Sequence, residues 1–202
     1  MKIDEIRNNL KFAGEKILTP VIALLNFLKL SPNIVTIFGF FINFVAVYYI
    51  YKGNFIIAAI VILIAGIFDM LDGALARKIN KKTKFGGFLD STVDRLSEAI
   101  IYFGIFLFFL NEKNIYGSIL TYFAMFFSFL VSYTRARASG LKIDCEIGLF
   151  TRPERIIIII LGLISQQLII SIILINILSV ITVIQRVLKV YKEASILDKN
   201  NF

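Results

Sequence analysis

The sequence predicts an all-α integral membrane protein with six transmembrane helices and an N-terminal amphipathic helix lying on the membrane surface. Three observations predict it. Hydrophobic residues make up 58% of the 202 residues, and the mean hydropathy is +0.82, a composition typical of membrane chains. The apolar residues come in runs close to the roughly 20 residues that a helix needs to cross a bilayer about 30 Å thick. The basic residues fall almost entirely on one side of the spans that those runs define.

Taken in order, the first element is the surface helix. Ile3, Ile6, Leu10, Ala13 and Ile17 recur at alternating steps of three and four, with Lys2, Asp4, Glu5, Arg7, Lys11 and Glu15 between them. That pattern is one apolar stripe on a charged helix. A capping helix packed on the bundle fits the same pattern. Pro20 is expected to break the helix, and residues 1–30 form a juxtamembrane segment. Met1 to Lys16 has no continuous apolar stretch, so no cleavable leader is expected.

The spans follow at 34–52, 55–77, 88–110, 115–134, 155–166 and 168–190. The fifth is short for a bilayer. Ser165-Gln166-Gln167 separates it from the sixth, because a single helix over both would run 36 residues (155–190), too long for one crossing. No internal repeat or low-complexity linker divides the chain, so residues 1–202 read as one domain.

With six spans both termini share a side. Of the 22 lysines and arginines, all but Lys52 and Lys113 fall on that side or at its edge. This asymmetry predicts a multi-pass protein of the cell membrane with cytoplasmic termini. It also accounts for most of the net charge of +8 without a nucleic-acid partner. Histidine is absent, which excludes serine–histidine triads and histidine-ligated zinc. Cys145 is the sole cysteine, so no intramolecular disulfide can form, and it reads as a loop residue without a role.

Carboxylates stand where apolar residues should. Asp69 and Asp72 lie in the cytoplasmic half of the second span, and Asp90 and Asp94 at the start of the third. A carboxylate at the centre of a membrane helix costs roughly 2.5–3.5 kcal/mol. These lie nearer the interface, but four together still need a cation or a wet cavity. Asp69, Asp72, Gly73, Ala76 and Arg77 share one helical face, as do Gly86, Asp90, Asp94 and Ser97. The short connection from Lys78 to Phe85 makes the two helices antiparallel neighbours, so the pairs can converge. All-oxygen donors favour Mg²⁺ or Mn²⁺, with Ca²⁺ a poorer substitute. Four acids could hold two such ions and clamp a diphosphate for in-line displacement. Gly73, Ala76 and Gly86 leave room for a nucleotide against the backbone. Arg77 can meet phosphate oxygens with its fork of donors.

The run Asp69-Met-Leu-Asp72-Gly73-Ala-Leu-Ala76-Arg77, eight further residues, then Gly86-Gly-Phe-Leu-Asp90-Ser-Thr-Val-Asp94 resembles the CDP-alcohol phosphotransferase signature, and all eight fixed positions are present. The six-span layout, cytoplasmic termini and surface helix are also similar to that family. The resemblance implies a membrane enzyme of phospholipid biosynthesis that moves the phosphate of a CDP-linked lipid onto a hydroxyl and releases CMP. It implies that Asp69, Asp72, Asp90 and Asp94 bind two divalent metals, and that Asp94 also takes the proton of the acceptor hydroxyl. It implies that Gly73, Ala76, Arg77 and Gly86 hold the CDP moiety. Ser31-Pro32-Asn33-Ile34-Val35-Thr36 resembles the family's segment before the first span, which adds Asn33 and Thr36 to the nucleotide contacts. A homodimer and a cytoplasmic active site are implied as well.

Ser132-Tyr133-Thr134-Arg135-Ala136-Arg137 ends the fourth span, and Thr151-Arg152-Pro153-Glu154-Arg155 opens the fifth. Four arginines suit a phosphorylated acceptor better than serine or choline, although the positive-inside rule alone would also place them there. The stretch resembles phosphatidylinositol-phosphate and archaetidylinositol-phosphate synthases, which implies that Arg135 and Arg155, with Ser132, face inositol 1-phosphate; Arg137 and Arg152 join them as acceptor-binding candidates through the arginine cluster alone. The alternative within the family is a phosphatidylglycerol-phosphate-type synthase using glycerol 3-phosphate. Outside it, the alternative is an ion or proton-coupled transporter with intramembrane carboxylates. That reading leaves Gly73, Ala76, Arg77 and Gly86 without a reason for their offsets. Composition hints at an archaeal source, and with it at ether-linked chains, CDP-archaeol in place of CDP-diacylglycerol.

Overall fold

The structure, a computed structural model, describes residues 18–80, 83–148 and 150–200. Among these residues there are seven α-helices and no strand. They are α1 (Leu18–Phe27), α2 (Pro32–Tyr51), α3 (Phe55–Lys78), α4 (Lys84–Asn111), α5 (Ile115–Gly140), α6 (Arg152–Ile164) and α7 (Leu168–Asn200). The expected amphipathic stripe from Ile3 to Ile17 lies outside the described residues. The described part of the 1–30 segment differs in character: from Leu18 to Leu28 it carries no charge, and Val21, Leu24, Phe27 and Leu28 are exposed.

Helices α2, α3, α5 and α7 are long and apolar enough to cross a membrane. Helix α4 is long, but Lys84, Asp90, Asp94 and Arg95 crowd its first half and Glu98 follows at its middle. Helix α6 has 13 residues, about 20 Å of rise, which is short for a bilayer about 30 Å thick. It stops at Ile164, where Ser165 and Gln166 turn the chain and Gln166 takes a positive φ of 58°, as the polar break predicts. Helices α5 and α7 outrun their predicted ends at 134 and 190. Charges end an apolar run but not a helix, and the alanines and arginines before Gly140 are good helix formers.

The chain divides into two compact units, Met1–Val45 with Ile60–Ser97, and Ala46–Ala59 with Glu98–Phe202. In the first, Ile22 of α1, Val35 of α2 and Leu71, Ala74 and Leu75 of α3 form a buried cluster, with Leu18, Leu25, Phe68 and Ile79 packed on it. Leu18, Ile22 and Leu25 line one face of α1. Pro20 stands in the first turn of the described helix, where proline is tolerated; the break expected between α1 and the preceding stripe lies outside the described residues. At Gly39 a side chain would begin 3.0 Å from the Cβ of Phe68, so α2 and α3 touch closely through a small residue.

In the second unit α5 and α6 pack on α7. Small and weakly polar side chains are buried in both long helices: Thr121 and Ser128 of α5 and Ser179 and Thr182 of α7. The Asn176 amide donates to the Leu120 carbonyl at 2.9 Å. Gly162 lies so close to the Ser171 side chain that a methyl group would overlap it. Such contacts hold helices where lipid offers no hydrophobic drive to associate.

Candidate active site

The last turns of α3 and the first turns of α4 carry the acids, joined by residues 79–83. One carboxylate oxygen from each of Asp69, Asp90 and Asp94 lies within 4.8 Å of the others, and all three residues are half-buried. Three like charges at that spacing repel by on the order of 3 kcal/mol per pair at an effective dielectric of about 20. The donor set fits a hard divalent cation. Opposite ligands of an octahedral ion stand about twice the metal–oxygen distance apart, roughly 4–5 Å, and every donor is a carboxylate oxygen. Asp72 stands outside this triad. It is 5% exposed, the Thr36 hydroxyl donates to its Oδ2 at 2.5 Å, and the charges of Asp69 and Asp90 act on it.

Beside the triad opens a cleft of about 280 Å³ lined by Pro32, Asn33, Thr36, Asp72, Gly73, Ala76, Arg77, Thr83, Gly86, Gly87 and Asp90. All six residues that sequence reasoning assigns to the nucleotide are among them. Its volume is at the small end of ligand pockets, about 300–1,000 Å³, which suits a nucleotide head rather than a whole lipid. Asp90 belongs both to the cleft and to the acidic triad. Two glycines keep the cleft open. A methyl group at Gly73 would stand 3.3 Å from Nη1 of Arg77, and one at Gly86 would stand 3.0 Å from the Thr83 hydroxyl. That hydroxyl accepts from the Gly86 amide at 2.9 Å and starts α4.

The arginines of the second unit divide by environment. Ser132 is half-buried, and Arg135 and Arg137 are exposed at the end of α5. Arg135 pairs with Glu146 at 3.3 Å. Arg152 is half-buried in the first turn of α6. Arg155, in the same turn, is fully buried. Its Nε donates to Oε1 of Glu98 at 2.5 Å and its Nη2 to Oε2 at 2.8 Å. Sequence reading missed Glu98 because nothing local announces a partner 57 residues away. Nor did it single out Arg186, which lies within the sixth predicted span. Arg186 is 2% exposed and donates to the carbonyls of Val131 and Ile147, and the charges of Arg135 and Arg155 act on it. A lone arginine among the apolar residues of α7 was the available signal.

Comparison with known proteins places this geometry. The profile of the CDP-alcohol phosphatidyltransferase family matches residues 29–191. The archaetidylinositol phosphate synthase of Pyrococcus horikoshii is 44% identical over 169 residues, 82% of this chain and 86% of that one. The crystal structure of Mycobacterium tuberculosis phosphatidylinositol phosphate synthase with CDP-DAG bound superposes with a TM-score of 0.82 at 32% identity, covering 87% of this chain and 94% of that one. The same enzyme in complex with manganese and citrate gives a TM-score of 0.80 at 31% identity, over 86% and 88% of the two chains. The profile match takes in the acidic triad, the cleft and the arginines of α5 and α6, and on that extent the chain belongs to the CDP-alcohol phosphatidyltransferase family.

Proposed function

We propose that this protein transfers the lipid phosphate of a CDP-linked lipid to a hydroxyl of inositol 1-phosphate and releases CMP. The observation that carries the reading is the cleft in which Asn33, Thr36, Gly73, Ala76, Arg77 and Gly86 meet Asp72 and Asp90. The identity to an archaetidylinositol phosphate synthase supports the acceptor. It also supports an archaeal-type lipid, CDP-archaeol in place of CDP-diacylglycerol.

In this mechanism the cytidine and its phosphates enter the cleft, and Arg77 donates its fork to the phosphate oxygens. Asp69, Asp72, Asp90 and Asp94 would hold two Mg²⁺ or Mn²⁺ ions, which when bound neutralise the diphosphate and polarise the phosphorus. Arg135, Arg137, Arg152, Arg155 and Ser132 bind the phosphorylated acceptor. Its hydroxyl oxygen bonds to the lipid-side phosphorus, its proton passes to Asp94, and the bond to CMP breaks.

Six crossings with both termini and the active site in the cytoplasm complete the reading. The lopsided charge supports it, with α4 and α6 joining the four apolar helices as crossings. A single catalytic domain fits a family match that runs through both compact units, and the assembly is a homodimer.

The test is CMP release by the purified protein with a CDP-activated lipid and Mg²⁺ or Mn²⁺. Inositol 1-phosphate, glycerol 3-phosphate, free inositol and serine are offered in turn, beside Asp94→Asn. Release with inositol 1-phosphate alone, abolished in Asp94→Asn, supports the reading. Release with glycerol 3-phosphate alone moves the protein to a phosphatidylglycerol-phosphate-type role. No release with any acceptor by folded protein reopens the transporter alternative.

A further inference from the structure

The Glu98–Arg155 pair has a geometry that packing alone does not require. Glu98 is 4% exposed and Arg155 0%. Two guanidinium nitrogens are taken by the two oxygens of one carboxylate. The third, Nη1, is buried and has no hydrogen-bond partner among the described residues. Buried donors are seldom left so. A guanidinium is planar, so fixing Nε and Nη2 also fixes where Nη1 points.

The surroundings hold both partners still. Thr151 caps α6, and the Glu154 carboxylate reaches back to accept from its amide at 2.8 Å and its hydroxyl at 2.6 Å. That sets the first turn of α6, on which Arg155 stands. On α4, one turn after Glu98, the buried Tyr102 hydroxyl hydrogen-bonds Ser128 of α5 at 2.9 Å. Glu98 and Glu154 are the carboxylates whose charges act on Arg155, and Arg155 and Arg135 in turn act on Arg186, so three arginines share this part of the second unit.

We propose that Glu98 is a positioning residue for the acceptor: its carboxylate grips Arg155 through Nε and Nη2 so that Nη1 stays free to donate to the acceptor's phosphate. This rests on the phosphorylated acceptor proposed above. Glu98 itself touches no substrate. Its negative charge also balances a buried arginine that would otherwise be uncompensated.

The experiment compares full-length wild type with Glu98→Gln, Glu98→Asp, Arg155→Gln and the double variant Glu98→Gln/Arg155→Gln. KM is measured separately for inositol 1-phosphate and for the CDP-lipid. In parallel, the shift in unfolding temperature caused by inositol 1-phosphate is recorded, which needs no turnover. Losing a charge-assisted hydrogen bond should raise the acceptor KM about tenfold or more in Glu98→Gln, with the lipid KM within about twofold of wild type. The double variant should bind acceptor no worse than Arg155→Gln, because Glu98 acts through Arg155. An unchanged acceptor KM, equal losses for both substrates, tighter acceptor binding, or losses that multiply in the double variant overturn the proposal. If Glu98→Gln does not fold, Glu98→Asp decides, since it keeps the charge but retracts the carboxylate. If no Glu98 variant folds, the pair is structural and the proposal falls. Should wild type use a different phosphorylated acceptor, the inositol reading fails and the same variants are scored with that acceptor. An acceptor without phosphate overturns the Glu98 role. Should wild type release no CMP yet be stabilised by inositol 1-phosphate, the transferase reading fails, and the Glu98 role stands only if Glu98→Gln loses that stabilisation. No stabilisation of an inactive wild type overturns it too.

Discussion

The hydroxyl of Thr36 on α2 donates to Oδ2 of Asp72 on α3 at 2.5 Å, in a setting where both residues are buried. The bond commits one oxygen of Asp72 and aims the other. A donor beside a metal-binding carboxylate tunes its affinity, and removing one typically weakens metal binding by about 10–100-fold. Thr36→Val keeps the shape and deletes the donor. It is expected to raise the Mn²⁺ concentration for half-maximal CMP release by about 10–100-fold. Metal titration of the purified variant at saturating substrates checks this. An unchanged midpoint with a raised KM for the CDP-lipid would instead leave Thr36 as a direct nucleotide contact.

Gly73 separates stability from activity. A methyl group there meets only the guanidinium of Arg77, 3.3 Å from Nη1, and no backbone, so a small shift of one side chain accommodates it. Alanine is a better helix former than glycine by up to about 1 kcal/mol. Gly73→Ala is therefore expected to unfold at the same temperature as wild type or higher. Its displaced Arg77 should raise the KM for the CDP-lipid by about tenfold, the scale of one charge-assisted hydrogen bond, and leave the acceptor KM alone. Thermal unfolding beside two-substrate kinetics reads both signs.

How much of this is legible in the sequence depends on distance along the chain. Helical periodicity sets Asp90 and Asp94 on one face of α4, and the short 79–83 connection folds α4 back on α3, so the meeting of both with Asp69 is readable. The turn at Lys52-Gly53-Asn54 is readable too, because Gly53 supplies a φ of 74° between two apolar runs. What fails to show is anything whose partner is remote. Thr36 and Asp72 are 36 residues apart, and Glu98 and Arg155 are 57 apart. Spacing rules reach only one or two turns.

The acidic triad makes a prediction about metal and stability. Asp69, Asp90 and Asp94 hold like charges within 4.8 Å of one another, and a bound cation relieves that repulsion. A ligand that binds only the folded state at about 100 times its Kd stabilises by roughly 2.7 kcal/mol. For a chain of this size that is a rise of about 5–10 °C in unfolding temperature. Adding Mn²⁺ to chelator-treated protein should produce it, and Asp90→Asn should abolish most of it. A full shift in the variant would move the metal away from Asp90.

The segment between α5 and α6 makes the last prediction. Arg186 donates from α7 to the Ile147 carbonyl at 2.9 Å and also to the Val131 carbonyl, which ties the segment to the α5–α7 interface. Gly148 follows with a φ of 133°, and a methyl group there would lie 2.7 Å from Cγ2 of Thr182 and 3.3 Å from Nε of Arg186. Both the backbone conformation and the space exclude a side chain. Gly148→Ala is expected to cost about 2–3 kcal/mol, lowering the unfolding temperature and opening residues 141–151 to protease. Arg186→Leu leaves two carbonyls without their donor, about 1–3 kcal/mol for each group left unsatisfied. Because both changes act on one contact, the double variant should cost less than the sum of the two. Unfolding temperatures of the two single variants and the double measure that coupling, and strict additivity would show that the arginine and the glycine act on separate parts of the segment.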